Sequence, residues 1–242
     1  MSAITRLVVN GDSYMELYAK GLGHVDLAQR LNLPHSASLA IGGSPDSRII
    51  RTALKDSYQT AEPTLYVLGV GFLSRWEVPV LKNEFEGSFE GRWTNPQNQN
   101  YVDRWEHNWN QKLTKQLMDL KLITDFYSVP DRVEDLMYRL KSMIADLHSR
   151  GHRVVIYQQA DDIYQRYLDN SNLYLFKDNP IFIDGLKWRA VPWQLSQGVP
   201  PNPLGPNNPY EVPDEIRHPM AGEHHKLNEF LQNYILKHRI ME

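Results

Sequence analysis

The sequence predicts an α/β protein built around a central parallel sheet, and three stretches carry that reading. The first is Ile4-Thr5-Arg6-Leu7-Val8-Val9-Asn10, a run rich in β-branched residues that stops at Gly11-Asp12-Ser13 and leads into a helix-like segment. The second is Pro63-Thr64-Leu65-Tyr66-Val67-Leu68-Gly69-Val70, apolar on both faces as a central parallel strand must be. The third is an amphipathic helix opened by Ser128 and closed by Gly151, followed by the strand-like run His152 to Gln158. Strand–helix–strand order of this kind implies right-handed parallel crossovers.

Taken in order, Tyr14 to Leu31 has helical spacing, with Leu17, Leu27, Ala28 and Leu31 facing inward and Gly21 and Gly23 interrupting it. Asn32 and Pro34 end that segment. Ser36 to Ile41 reads as a short second strand running into Gly42-Gly43-Ser44-Pro45. Arg48 to Lys55 is a short helix burying Ile49, Ile50, Ala53 and Leu54. From about residue 74 to 129 aromatic residues alternate with Asn, Gln, Glu and Gly, which predicts an inserted subdomain over the carboxyl edge of the sheet. Within it 95–100 is a loop and 101–120 is helical. Its Trp76, Trp93, Trp105 and Trp109 have two readings, a small core of their own or one wall of a ligand cleft. The helix after Ser128 presents Val133, Leu136, Met137, Leu140, Ile144 and Leu147 on one side. Asp161 to Tyr174 is helical, Pro180 to Asp184 a short strand, and Pro192 to Pro213 a long loop. A last helix from about Gly222 buries Leu227, Phe230, Leu231, Tyr234 and Ile235.

Composition limits the functions to consider. The 242 residues, 41% hydrophobic and 23% charged, supply one substantial core, so a single domain, 1–242, with one insertion is expected. A formal net charge of -3 gives no basis for nucleic-acid or anionic-membrane partners. The absence of cysteine excludes disulfides, thiolate metal sites and a cysteine nucleophile. No apolar run approaches the roughly 20 residues of a membrane span, and the start lacks a signal-peptide pattern, so a cytoplasmic protein is expected. No dinucleotide fingerprint or phosphate loop occurs, and no cofactor or metal is expected; His218, His224 and His225 lack a metal-binding helix pattern.

The chemistry centres on Ser13. A serine at the carboxyl end of a strand, opening a helix, lies where open α/β sheets hold ligands, and helix-start N–H groups can stabilise an oxyanion. The alternative is that Asp12-Ser13 simply caps the helix. At the far end of the chain, Glu215-Ile216-Arg217-His218-Pro219 precedes His224 and the terminal helix. Together these ends resemble the SGNH/GDSL hydrolase family. The resemblance implies a three-layer α/β/α, flavodoxin-like fold. It also implies Ser13 as nucleophile, His218 as base and Gly43 as an oxyanion-hole glycine beside the Ser13 N–H. Glu215, at the family's spacing, or Asp214 would orient the imidazole. Asp12, Arg75, Trp76 and His224 are the expected substrate contacts.

One family segment is degenerate. Where the family has Gly-x-Asn-Asp, this sequence reads Gly69-Val70-Gly71-Phe72, so the oxyanion donor position falls on Gly71, which has no side-chain amide. Loss of one such donor costs about 2.7–4 kcal/mol of transition-state stabilisation unless Ser74, Arg75 or the insertion replaces it. The expected function is therefore an ester hydrolase, such as a carbohydrate O-deacetylase, acting on a small ester or acylated glycan. The competing expectation is a catalytically degenerate module that binds glycans or builds an assembly. The run Gly71-Phe72-Leu73-Ser74-Arg75-Trp76 is similar to replacements in SGNH-like proteins of bacteriophages and marine bacteria, which implies a virion component or other oligomer in that case.

Overall fold

The elements of the computed structural model, in chain order, are β1 (Arg6–Asn10), α1 (Ser13–Lys20), α2 (Gly23–Arg30), β2 (His35–Ser38), α3 (Asp46–Gln59) and β3 (Thr64–Val70). They continue with β4 (Trp76–Val78), β5 (Arg92–Thr94), α4 (Val129–Ser149), β6 (Arg153–Gln158), a 3-10 turn (Ile183–Leu186), α5 (Ala190–Ser196) and α6 (His225–Lys237). The structure describes residues 3–42, 44, 46–70, 76–78, 92–94, 129–159, 176–201, 219–220 and 223–242, with backbone alone at 76–78, 92–94 and 129–132.

Four strands form an all-parallel sheet in the order β2-β1-β3-β6. The period-2 alternation of side chains divides the core into two layers. Val8, Tyr66, Leu68, Val154 and Ile156 face α3 and α4, whereas Leu7, Val9, Leu65, Val67 and Val155 face α1, α2 and α6. This is a three-layer α/β/α arrangement. All seven residues of β3 are buried, because it is covered on both faces and flanked by β1 and β6. The chain leaves β1 toward β2 across one face, then returns over β1 to β3 across the other. Reversing both direction and face keeps the two crossovers of one hand. The reversal creates a switch point between β1 and β3, at whose carboxyl ends such sheets bind ligands.

Several predicted boundaries move, each for a local reason. The 14–31 helix is two helices meeting at Leu22, which takes a left-handed conformation (φ 62°) and is exposed. In α1 the buried face is Tyr14, Met15 and Tyr18, and Leu17 is half-buried. β2 ends at Ser38, although Leu39 and Ile41 still donate to Val9 and Gly11 carbonyls. α3 extends well beyond 48–55, since no Gly or Pro occurs between Pro45 and Pro63. The strand predicted at 180–184 reduces to one bridge, Phe182 beside Ile156, before the 3-10 turn. The loop predicted from Pro192 begins as α5. Pro192 is the third residue of that helix, where a missing N–H costs nothing because first-turn donors have no intrahelical partner.

Within the stretch predicted as an insertion, β4 and β5 pair antiparallel, Trp76 opposite Thr94 and Trp93 opposite Glu77. The remainder of 74–128 and the predicted helix 161–174 lie outside the described residues. α6 buries Leu227, Leu231 and Ile235 in the second layer, while half-buried Phe230 stacks on Trp188 with ring centres 4.4 Å apart. Among the described residues no helix is long and apolar enough to cross a membrane.

Candidate active site at the carboxyl edge of the sheet

The end of β1 is held by a buried amide. Asn10 Nδ2 donates to the Ile49 carbonyl (2.9 Å) and Thr52 Oγ1 (2.8 Å), and its Oδ1 accepts the Gly11 N–H at 2.9 Å. Strand exit and α3 are thereby locked together. Gly11 is required by close approach, because a Cβ there would lie 2.5 Å from Met15 Cγ and 2.6 Å from Gln159 Nε2. Asp12, buried and extended, is the N-cap of α1, and its Oδ1 accepts the Tyr14 N–H at 3.0 Å. Ser13 is the first residue of the helix and half-buried. It therefore stands at the positive end of the α1 dipole, beside the switch point.

The loop after β2 reaches the same place. A Cβ on Gly42 would lie 3.6 Å from Ser13 Cβ, so the two backbones adjoin. The Gly42 N–H donates to Glu16 Oε2 at 2.7 Å, and Glu16 Oε1 pairs with Lys20 at 2.7 Å. An anionic oxygen thus already sits on a backbone N–H neighbouring the serine. The loop is fixed from below by Arg48, which donates to the Leu39 carbonyl and Ser44 Oγ.

An open cleft lies between α1, the end of β6, α5 and the segment entering α6. Tyr14 and Met15 line one side, Ala190 and Val191 another, and Pro219, Met220 and His224 a third. Pro219 is held by an antiparallel bridge with Pro201, and Met220 N–H donates to the Pro200 carbonyl at 3.1 Å. The His224 ring meets the Tyr18 ring edge-on at 6.1 Å, and its Nε2 is 3.9 Å from Asp26 Oδ2. Burial pushes the His224 pKa below the usual imidazole value, against the opposing pull of Asp26, so the ring is held neutral. At the base of the cleft the Tyr157 hydroxyl donates to Met15 Sδ at 2.7 Å.

Among the expected site residues, the structure brings Ser13 to the sheet edge, uses Asp12 as the helix cap and sets His224 in the cleft. Gly43, Gly71, Arg75, Asp214, Glu215 and His218 lie outside the described residues, and Trp76 is described only as backbone in β4. Tyr14, next to Ser13 in sequence, and Pro219, next to His218, line one cleft. Sequence reasoning missed Gln159 and Gln194, which also line it. The available signal was Gln158-Gln159, two polar residues closing an apolar strand at the ligand-binding edge. Among the described residues no group of three or more His, Cys, Asp or Glu could hold a metal ion. Models of known protein families give no match to this chain, and comparison with curated proteins finds none either.

Proposed function

We propose that this protein is a serine ester hydrolase of the SGNH kind, with Ser13 as nucleophile and His218 as base. The observation that carries the reading is Ser13 at the first position of α1, beside the β1/β3 switch point, with the Gly42 backbone against it. The cleft shared by Tyr14 and Pro219 supports it, since it draws the sequence neighbours of the two proposed partners to one place. In this mechanism His218 takes the Ser13 proton as Oγ attacks the ester carbonyl. The oxyanion meets N–H groups at the α1 start and in the 42–43 loop. His218 then protonates the departing alcohol, and water releases the acyl group by the same route in reverse. Glu215 or Asp214 would hold the imidazole, and a small ester or an acylated glycan would be the substrate.

A second reading, a degenerate module with a binding or structural role, is favoured by two observations: Glu16 already occupies the Gly42 N–H, and Gly71 brings no amide. A serine-directed phosphonate separates the two. The hydrolase reading expects covalent labelling of Ser13 and turnover of small acetate esters, both lost in Ser13→Ala and turnover reduced by orders of magnitude in His218→Ala. A wild-type protein that is neither labelled nor active would leave the binding module as the better reading.

A further inference from the structure

The cleft is lined by a polar side chain that is left unsatisfied among the described residues. Gln159 directly follows β6, its side chain lies against Gly11 and Gly69, and it is 1% exposed. A Cβ on Gly69 would collide with the amide, so two glycines on neighbouring strands make the room it occupies. Its amide oxygen and nitrogen are both buried, and neither has a hydrogen-bond partner among the described residues. A carboxamide offers two N–H donors and two lone pairs. Buried groups of this kind are almost always paired in folded proteins, so a group without a partner among the described residues is a candidate to bind one.

The surroundings restrict that partner. Gln194, also buried, makes only a long 3.4 Å contact with the Ala190 carbonyl, and His224 Nδ1 is buried with no partner among the described residues. His224 is neutral, as argued above, and the carboxylate of Glu223 is 44% exposed at the mouth. Among the described lining residues a charged ligand would lose its hydration and meet no countercharge except Glu223 at the mouth. Met15, Val191 and Leu227 offer apolar surface on the walls.

We propose that this cleft binds an uncharged carboxamide, the group carried by an N-acylated amine, with Gln159 as its anchor. The proposal deepens the hydrolase reading by naming a recognition element of its substrate, and rests on that reading only for the cleft's role in catalysis. An amide carries both a donor and an acceptor, and Gln159 can pair with either. Its donor and acceptor point apart, so one can engage Gln159 while the other meets Gln194 or His224. Its alkyl substituents match the apolar walls, which a polyol would not. Gln159 borders the cleft, and engaging a ligand there requires its side chain to change rotamer, beyond a turn of the terminal torsion.

The test is a titration of 15N-labelled protein with N-methylacetamide, following the side-chain NH₂ resonances of Gln159. A saturable shift is expected, with acetate, methylammonium and ethylene glycol leaving the resonances in place. Gln159→Met, which preserves volume and removes both polar groups, should weaken binding about tenfold or more when the backbone amides lining the cleft, which also shift in the wild type, are followed instead. Gln159→Glu, which preserves shape and removes the donors, should do the same. Absence of a saturable shift in the wild type, or an equal response to any of the three controls, overturns the proposal. The same titration on Ser13→Ala separates binding from chemistry. Binding there, with a wild type inert to esters, sinks the hydrolase reading alone, and an active wild type that does not bind sinks this inference alone.

Discussion

His152 serves the entry of β6 much as Asn10 serves the exit of β1. It is 2% exposed, its Nδ1 accepts the Thr64 N–H at 3.2 Å, and its ring meets Tyr66 edge-on at 5.6 Å. Burial pushes its pKa below the usual imidazole value, although a backbone hydrogen bond with Ser57 pulls the other way. The unfolded chain therefore binds the proton more readily than the folded one. The stability that the neutral ring contributes is complete above the ordinary histidine pKa of about 6.5 and is lost as pH falls through that value toward the lowered one. Urea unfolding should accordingly show a falling midpoint between pH 7 and pH 5. His152→Ala should cost about 1–3 kcal/mol at pH 7, the penalty of an unpaired buried donor, and should flatten part of that pH dependence. A variant with the full wild-type slope would remove His152 from the account and leave His24, His148 and His224, whose pKa values burial also lowers. At this scale Ser13 and its cap were legible, because Gly-Asp-Ser after an apolar run has few other uses. Gln159 was not, because two glycines from other strands determine its burial.

Among the elements, the α1–α2 corner is the place where local preference is most openly overruled. Leu22 holds φ 62° and ψ 19° with its side chain 62% exposed, so it incurs the left-handed penalty without burial to offset it. That penalty is about 1–2 kcal/mol for a residue with a Cβ, against about 0.5–1 kcal/mol of extra unfolded-state freedom for glycine. Leu22→Gly should therefore stabilise the protein by about 0.5–1 kcal/mol in chemical denaturation, and a loss of stability would show that the exposed leucine has a contact in solution. The break between the helices was readable from Gly21 and Gly23, but not which residue would turn. Gly23 is instead needed for space, as a Cβ there would collide with the Tyr18 ring. The length of α3 was underestimated and α5 was missed, for related reasons. Nothing in 56–59 breaks a helix, and Pro192 looks like a loop marker until its place in the first turn is known.

At the level of the whole molecule, the layer order followed from the apolar runs, whereas the docking of the last helix on an early one did not. That docking is polar at its centre. Fully buried Asn228 accepts from the Tyr18 hydroxyl at 2.6 Å and donates to the Gly23 carbonyl (2.9 Å) and Asp26 Oδ2 (2.8 Å). In the sequence it is one amide on an apolar face, and its three partners sit about two hundred positions earlier. Asn228→Ala should cost about 1–3 kcal/mol, since it removes three hydrogen bonds while the Tyr18 hydroxyl keeps the Gly23 carbonyl and Asp26 keeps Arg30, and the loss should show in calorimetry as a lower melting temperature. A shift within experimental error would mean that the helices slide to reseal the gap. The same junction bears on how the protein is made. Translation releases α2 long before α6, so Leu27, Ala28 and Leu31 must wait, uncovered, for the partner that buries them. During that interval the growing chain has an adhesive flank, the kind of surface that chaperones hold and that drives nascent chains to clump. The cleft is also unfinished until then, because His224 and Leu227 emerge together with α6.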